Sequence, residues 1–232
     1  MNVAIVVAAG KGTRLGGHQP KQFLELCGAP IIIHTLRQFE RCREINEIIT
    51  VVPATETAAF LSLAKKFELS KLSRVVAGGA TRAQSVRQGL NAISHADLVA
   101  VHDGVRPFVT PDEIARVIDA ARRSGAAILT APIGDTIKQV RSDRVTATLP
   151  RAMMRRALTP QCFSYELLKR AYDQVASLEE EGIEVTDDSF LVERLGVEVI
   201  AIEGSARNIK ITQEADLVLA EAILKQMSDA RC

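Results

Sequence analysis

The strongest constraint in this 232-residue chain is an alternation of period. Short, nearly continuous runs of apolar, often β-branched residues trade places with stretches whose apolar residues recur every three or four positions. Val3–Ala8, Glu47–Val52, Arg74–Ala77, Leu98–His102 and Ala126–Ala131 are the extended runs. They lack the in-and-out alternation of a half-exposed strand, so both faces must be covered, as in a parallel sheet between layers of helix. Phe60, Leu63, Ala64 and Phe67 mark one intervening helix; Val86, Leu90 and Ile93 mark the next; Ile114, Val117, Ile118 and Ala121 mark a third. Thr81-x-x-Gln84 fits a capping box, and Thr110-Pro111-Asp112-Glu113 combines an N-cap Thr, a first-turn Pro and a Glu at the third position. The expected fold is α/β, a doubly wound, mostly parallel, Rossmann-like sheet. Ligands of such sheets bind where strands end and helices begin, which directs attention to the loops after Ala8, Ala77 and His102.

The pattern changes between residues 132 and 156. β-branched and polar residues alternate around Ser142-Asp143, the mark of a hairpin standing apart from the sheet. With few large apolar residues, this arm must pack against the body or a second subunit. Beyond it the sequence predicts a helix around Ser164–Leu178, a capped helix from Thr186, a strand at Val197–Ile202 and a final helix capped by Thr212. No repeat or composition break divides the chain, so residues 1–232 read as one domain with a projecting arm at about 132–156.

The formal net charge of +1, with 25% charged residues, gives no support to a nucleic-acid or membrane-surface partner. Any cationic function must come from a local cluster. Four scattered cysteines, Cys27, Cys42, Cys162 and Cys232, form no CxxC pair, which suits reduced thiols better than a disulfide framework or a zinc site. The first apolar run is too short for a membrane span or a signal segment. A soluble, cytoplasmic protein is expected.

The local cluster is at the N-terminus. Val3–Ala9 opens into Gly10-Lys11-Gly12-Thr13-Arg14-Leu15-Gly16, and Pro20-Lys21-Gln22 follows. Backbone N–H groups of such a glycine loop can cradle phosphate oxygens, Arg can bind them as a fork and Lys as a movable charge. A dinucleotide fingerprint and a Walker A loop would each need glycine where Leu15 stands. A triphosphate fits a glycine loop studded with cations better than either.

These residues carry a resemblance. Ala8-Ala9-Gly10-x-Gly12-x-Arg14-Leu15 with Pro20-Lys21-Gln22 resembles the signature of the 2-C-methyl-D-erythritol 4-phosphate cytidylyltransferases of the non-mevalonate isoprenoid pathway. The likeness continues through Gly78-Gly79-x-x-Arg82-x-x-Ser85-Val86, His102-Asp103-x-x-Arg106-Pro107, Asp135-Thr136-Ile137-Lys138, Arg151, Ala157-Leu158-Thr159-Pro160-Gln161, Thr186-Asp187-Asp188 and Asn208-Ile209-Lys210-Ile211-Thr212. It departs at Gly104-Val105, where the family often has Ala-Ala, and at Lys11, where the family varies.

The resemblance implies attack by a phosphate-monoester oxygen on the α-phosphorus of CTP, with pyrophosphate leaving. Catalysis of that kind is positioning and cationic stabilisation, and needs no nucleophilic side chain. By resemblance, Arg14 and Lys21 stabilise charge on the α-phosphate, while Arg151 and Lys210 place the acceptor phosphate. Ala8, Ala9, Gly10, Gly12, Gly79, Arg82, Ser85, Asp103, Gly104 and Thr159, with Arg14, Lys21 and Lys210, make up the implied CTP site, the loop at Gly79 recognising cytosine. Asp103, Arg106, Thr136 and Arg151 make up the acceptor site, with Arg151, Arg106 and Thr136 reaching across a homodimer through exchanged arms. Asp103 is also the candidate ligand for Mg²⁺ or another divalent cation, although Asp103-Gly104 is equally a good turn dipeptide. Lys210 precedes the last helix, where a cation is out of place unless an anion is also there. Asp187 and Asp188 read as capping and dipole partners, and His102 as structural.

Three alternatives remain at this point. Transfer to D-ribitol 5-phosphate is implied by a similar family sharing several of the blocks. A nucleotide-binding regulator without turnover and a nicotinamide oxidoreductase are the others.

Overall fold

The computed structural model describes residues 1–10 and 20–229. In chain order these form β1 (Asn2–Val7), β2 (Glu25–Leu26), β3 (Ala29–Pro30), α1 (Ile31–Arg41), β4 (Glu47–Val52), α2 (Thr57–Lys65), β5 (Leu72–Ala77), α3 (Arg82–Asn91), β6 (Leu98–Asp103), α4 (Pro111–Ser124) and β7 (Ala126–Pro132). There follow β8 (Ile137–Arg141), β9 (Arg144–Leu149), β10 (Arg155–Ser164), α5 (Tyr165–Tyr172), α6 (Val175–Glu180), α7 (Asp188–Glu193), β11 (Ile200–Glu203) and α8 (Glu214–Asp229).

Seven strands make the central sheet in the order β11-β7-β10-β6-β1-β4-β5. β1 pairs in parallel with β4 and β6, β4 with β5, and β7 with β11; only β10 runs antiparallel, between β6 and β7. Successive residues of the buried strands serve opposite layers. Ala4 and Val6 pack under α1, α2 and α4 with Leu36, Phe39, Phe60 and Val117. Val3 and Ile5 pack against the other layer with Val86, Leu90, Leu168, Val175 and Leu191. That double burial is why these strands read as unbroken apolar runs.

Helix ends follow local chemistry. At α4, Thr110 accepts from the Glu113 N–H while the Glu113 carboxylate accepts from the Thr110 N–H, and Gly125 closes the helix in the left-handed region (φ 86°). At α3, Thr81 caps Gln84, but the Gln84 side chain reaches one residue further back, to the Ala80 N–H. Asp187, not Thr186, caps α7 by accepting from the Phe190 N–H at 2.9 Å. Thr212 does not cap α8 either: its hydroxyl donates to Asp216, and the same carboxylate accepts from the Gln213 N–H.

β10 is an element the sequence did not announce. Pro160 cannot donate to a ladder, and a proline argues against a central strand. The sheet accommodates it by a shift of register between Ala157 and Gln161. Arg155 and Arg156, counted with the arm from sequence, already pair with Pro132 and Ala131. The arm itself is β8 and β9, a separate two-stranded sheet turned by Ser142 and Asp143, both at positive φ. Val140 and Val145 on it are 57% and 63% exposed. Among the described residues no helix is long and apolar enough to cross a membrane.

Candidate active site

In an open sheet, strand order reverses where the chain switches direction of winding, and a crevice opens there at the carboxyl ends. Here that point lies between β1 and β6. A cleft of about 400 Å³ occupies it, lined by Ala8, Ala9, Gly10, Lys21, Gln22, Gly79, Arg82, Ser85, Asp103 and Lys210 among others. Residues distant in sequence are thus gathered as expected around one opening. Lys11, Gly12 and Arg14 lie outside the described residues.

The floor of the cleft is built from backbone. Gly78, at the end of β5, is obligatory: a Cβ there would come 2.2 Å from the Ala9 Cβ. The Ser85 hydroxyl donates to the Thr81 carbonyl at 2.9 Å and accepts from the Gly79 N–H at 3.1 Å. It therefore holds the Gly78-Gly79 loop in shape and is itself buried. Gln22, also buried, donates to the carbonyls of Ala8 (2.6 Å) and Gly10 (3.2 Å). It ties the segment before Lys11 to the segment bearing Lys21.

Asp103, the last residue of β6, is the electrostatic centre. Its Oδ1 accepts from Arg82 Nε at 3.3 Å, and its Oδ2 accepts from Arg106 Nε at 3.1 Å and Lys210 Nζ at 3.1 Å. Burial alone would raise its pKa; Arg82, Lys210 and Arg106 together outweigh it and hold the carboxyl well below the usual carboxylate range. The Arg82 fork is in turn engaged by Asp188, with NH1 to Oδ1 at 3.1 Å and NH2 to Oδ2 at 2.7 Å. Two carboxylates thus face the cations Arg82, Arg106 and Lys210, leaving a local positive surplus before Lys21 is counted. Lys210, 39% exposed along its side chain, is the member free to reach an anion in the cleft.

Behind Asp103 is a buried polar relay. The Asp103 N–H donates to Thr159 Oγ1 (3.1 Å), and Thr159 Oγ1 bonds His102 Nδ1 (3.0 Å). His102 Nε2 faces the Arg106 carbonyl at 3.1 Å. A carbonyl only accepts, so Nε2 carries the proton and Nδ1 accepts from the Thr159 hydroxyl. Burial keeps the ring neutral, lowering its pKa to about 4.

Some expected site residues stand elsewhere. Thr159 lies behind Asp103 and does not line the cleft; Gly104 abuts Ala8, with its N–H on the Val7 carbonyl at 2.8 Å, and does not line it either. Arg106 is a strut within its own chain, its NH1 on the Asn208 carbonyl at 2.9 Å. Thr136 and Arg151 are exposed on the arm, Arg151 donating to the Gly134 carbonyl at 2.8 Å. Among the described residues Asp103 is the only carboxylate lining the cleft, and no group of three or more His, Cys, Asp or Glu that could hold a metal occurs.

Residues 2–226 match the family of IspD, 2-C-methyl-D-erythritol 4-phosphate cytidylyltransferase. The chain belongs to that family. Relatives of that name from Syntrophus aciditrophicus and Bacillus velezensis are 44% and 43% identical over 227 residues each; both alignments cover 97% of this chain, and 96% and 97% of the relatives. A solved 4-diphosphocytidyl-2C-methyl-D-erythritol synthase from Anaerococcus prevotii superposes with a TM-score of 0.85 at 32% identity, covering 97% of this chain and 96% of that one. The 2-C-methyl-D-erythritol 4-phosphate cytidylyltransferase of Thermus thermophilus superposes with a TM-score of 0.76 at 35% identity, covering 95% and 98%.

As a cytidylyltransferase, the chain is a nucleotidyltransferase, and the cleft has the backbone floor and cationic wall such chemistry needs. Gln22, Asp188 and Tyr172 are site-supporting residues that spacing alone did not mark out. Gln22 had a signal in its place beside Pro20-Lys21, and Asp188 in the block Thr186-Asp187-Asp188, where it read as a local partner of the helix start.

Proposed function

We propose that this chain transfers the cytidylyl group of CTP to 2-C-methyl-D-erythritol 4-phosphate, forming 4-diphosphocytidyl-2-C-methyl-D-erythritol and pyrophosphate in the non-mevalonate route to isoprenoid precursors. The observation that carries the reading is the convergence of Lys21, Arg82 and Lys210 on one cleft floored by Gly10 and Gly79, within a chain of this family. The acceptor phosphate is already ionised near neutral pH, so the protein must position it in line with the α-phosphorus and offset the charge that gathers there.

In this reading the triphosphate lies along Ala8, Ala9, Gly10 and Gly12, with Arg14 and Lys21 at the α-phosphate and the cytosine against Gly79 and Ser85. Lys210 leaves Asp103 Oδ2 for phosphate oxygen, and Arg151 joins it at the acceptor. Arg82 faces the nucleotide and also acts through Asp103, and Arg106 acts through Asp103 on the acceptor side. Gly104 and Thr159 contribute by holding Asp103 in place. A divalent cation, Mg²⁺ or another, is part of the proposal. Magnesium keeps most of its shell as water and phosphate oxygen, so a cleft with the single carboxylate Asp103 fits it. When bound, it would neutralise triphosphate charge.

We read residues 1–232 as one domain, and the β8–β9 arm as the dimerisation element of a homodimer. Exposed Val140 and Val145 support that reading, since the arm has no core of its own. Arg151 and Thr136 would then serve the partner's cleft. A cytoplasmic location accords with Cys42 and Cys162 as buried free thiols, that of Cys162 pushed up to about 12 by burial.

The test is pyrophosphate release by purified protein with CTP, Mg²⁺ and either 2-C-methyl-D-erythritol 4-phosphate or D-ribitol 5-phosphate. Turnover with the first and not the second is expected; preference for ribitol phosphate, or no turnover with either, would defeat the proposal.

A further inference from the structure

Arg82 is the first residue of α3, where the helix dipole disfavours a cation. It is nevertheless fixed there by two acidic side chains from opposite sides, Asp103 of β6 and Asp188 of α7. Asp188 is 0% exposed, yet each of its oxygens is used: Oδ1 accepts from Arg82 NH1 and from the Tyr172 hydroxyl at 2.5 Å, and Oδ2 accepts from Arg82 NH2. Its helix is anchored separately. Gln161 of β10 accepts the N–H groups of Asp188 (2.9 Å) and Ser189 (3.0 Å) and donates to Asp187 (2.8 Å). Buried polar structure of this extent is costly, and here it is built against Arg82, a residue that lines the cleft.

The direction of the fork is what matters. Because Asp188 takes both NH1 and NH2, Arg82 meets Asp103 through Nε alone, on Oδ1. Asp103 Oδ2 is thereby left for Arg106 and Lys210. A guanidinium released from Asp188 would gain most by turning its fork onto Asp103, since two parallel charge-assisted bonds are stronger than one. That rotation would claim Oδ2 and displace Lys210 and Arg106.

We propose that Asp188 and Tyr172 are positioning residues of the transfer reaction: they hold the Arg82 fork away from Asp103, and so keep Lys210 and Arg106 set for the acceptor phosphate. Neither residue touches substrate. The inference rests on the reading of the cleft given above and adds to it two residues on α5 and α7.

The experiment compares full-length wild type, Tyr172→Phe, Asp188→Asn and the double variant. Pyrophosphate release is followed with each substrate varied in turn, alongside thermal unfolding to fix the folded fraction. A misdirected acceptor site costs on the order of 100-fold, and Asp188→Asn should approach that loss in kcat, with KM for the acceptor raised by a larger factor than KM for CTP. Tyr172→Phe should show the same split at smaller size, and the double variant should be no worse than Asp188→Asn, because Tyr172 acts through Asp188. A merely structural role would lower the unfolding temperature but leave kcat and both KM values of the folded fraction at wild-type level, and that result overturns the proposal. Should Asp188→Asn fail to fold, Tyr172→Phe decides alone: the acceptor-side split supports the inference, and wild-type kinetics refute it. A wild type that turns over neither acceptor fails the underlying reading first, and the inference with it.

Discussion

Lowering the pH should destabilise this protein through one side chain in a way that can be calculated. His102 is wholly buried, donates through Nε2 to the Arg106 carbonyl and accepts at Nδ1 from Thr159; burial lowers its pKa from 6.5 to about 4. Protonation would put a second donor on Nδ1, against a hydroxyl already receiving the Asp103 N–H. The folded-state pKa is depressed, so the stabilisation is present above the unfolded value and is lost as pH falls toward the folded value. Below 6.5 the unfolded chain takes up a proton that the folded chain refuses. The slope approaches about 1.4 kcal/mol per pH unit, roughly 2 kcal/mol is lost between about pH 7.5 and 5, and about 3 kcal/mol by pH 4. Denaturant titrations of wild type and His102→Gln across that range isolate the effect, because carboxylates and His34, whose pKa burial also lowers, titrate in both proteins and cancel. The glutamine variant should start less stable and lose less, with the two curves converging as the pH drops. Parallel curves, separated by a constant gap from pH 7.5 to 5, would refute the neutral-ring assignment and with it the relay behind Asp103.

Gly78→Ala should destabilise the protein by about 1–3 kcal/mol in denaturant titration and raise KM for CTP, because its methyl would meet Ala9 at the cleft floor. Thr159→Val removes the hydroxyl joining the Asp103 N–H to His102, and should cost about 1–3 kcal/mol by the same measurement. Lys210→Ala should chiefly raise KM for the acceptor, whereas Lys21→Ala should lower kcat by on the order of 100-fold or more in the pyrophosphate assay. Val140→Asp combined with Val145→Asp should shift sedimentation toward the monomer while circular dichroism shows the fold retained, since both side chains are exposed within the chain.

What the sequence made legible were features written in neighbouring residues. β4 runs from Glu47 to Val52 as its apolar run does, and β1, β6 and β7 fall within a residue of theirs at each end. Those strands are buried on both faces, so each residue reports the same environment. α1 was hidden for the opposite reason: it opens with Ile31-Ile32-Ile33, a β-branched triplet that locally favours extended chain, and becomes helical because tertiary packing buries all three. β10 was obscured by Pro160 and by the exposed arginines at its start. β11 begins at Ile200, three residues later than its apolar run, as an edge strand with one partner.

The cleft divides in the same way. Lys21, Gly79, Arg82, Asp103 and Lys210 could be picked out because each sits in a recognisable block at the end of a strand or the start of a helix. What Asp188 does could not, because its partner Arg82 lies 106 residues away and two adjacent aspartates before a helix have a sufficient local explanation. Asp187 is the cap, and Asp188, an acidic residue of the first turn as that explanation has it, holds the Arg82 fork as well. Spacing also cannot tell which of two polar groups faces a cleft and which supports it from behind, as Thr159 does here.

The central claim is that side chains from distant stretches of chain form one cationic cleft around a single triphosphate. A crystal structure of the protein with CTP and Mg²⁺ tests it most directly. The account predicts the triphosphate between Gly10, Lys21 and Lys210, the base against Gly79, and Lys210 moved off Asp103. CTP bound at another surface, or bound in the cleft with Lys21 and Lys210 both turned away from its phosphates, would contradict it.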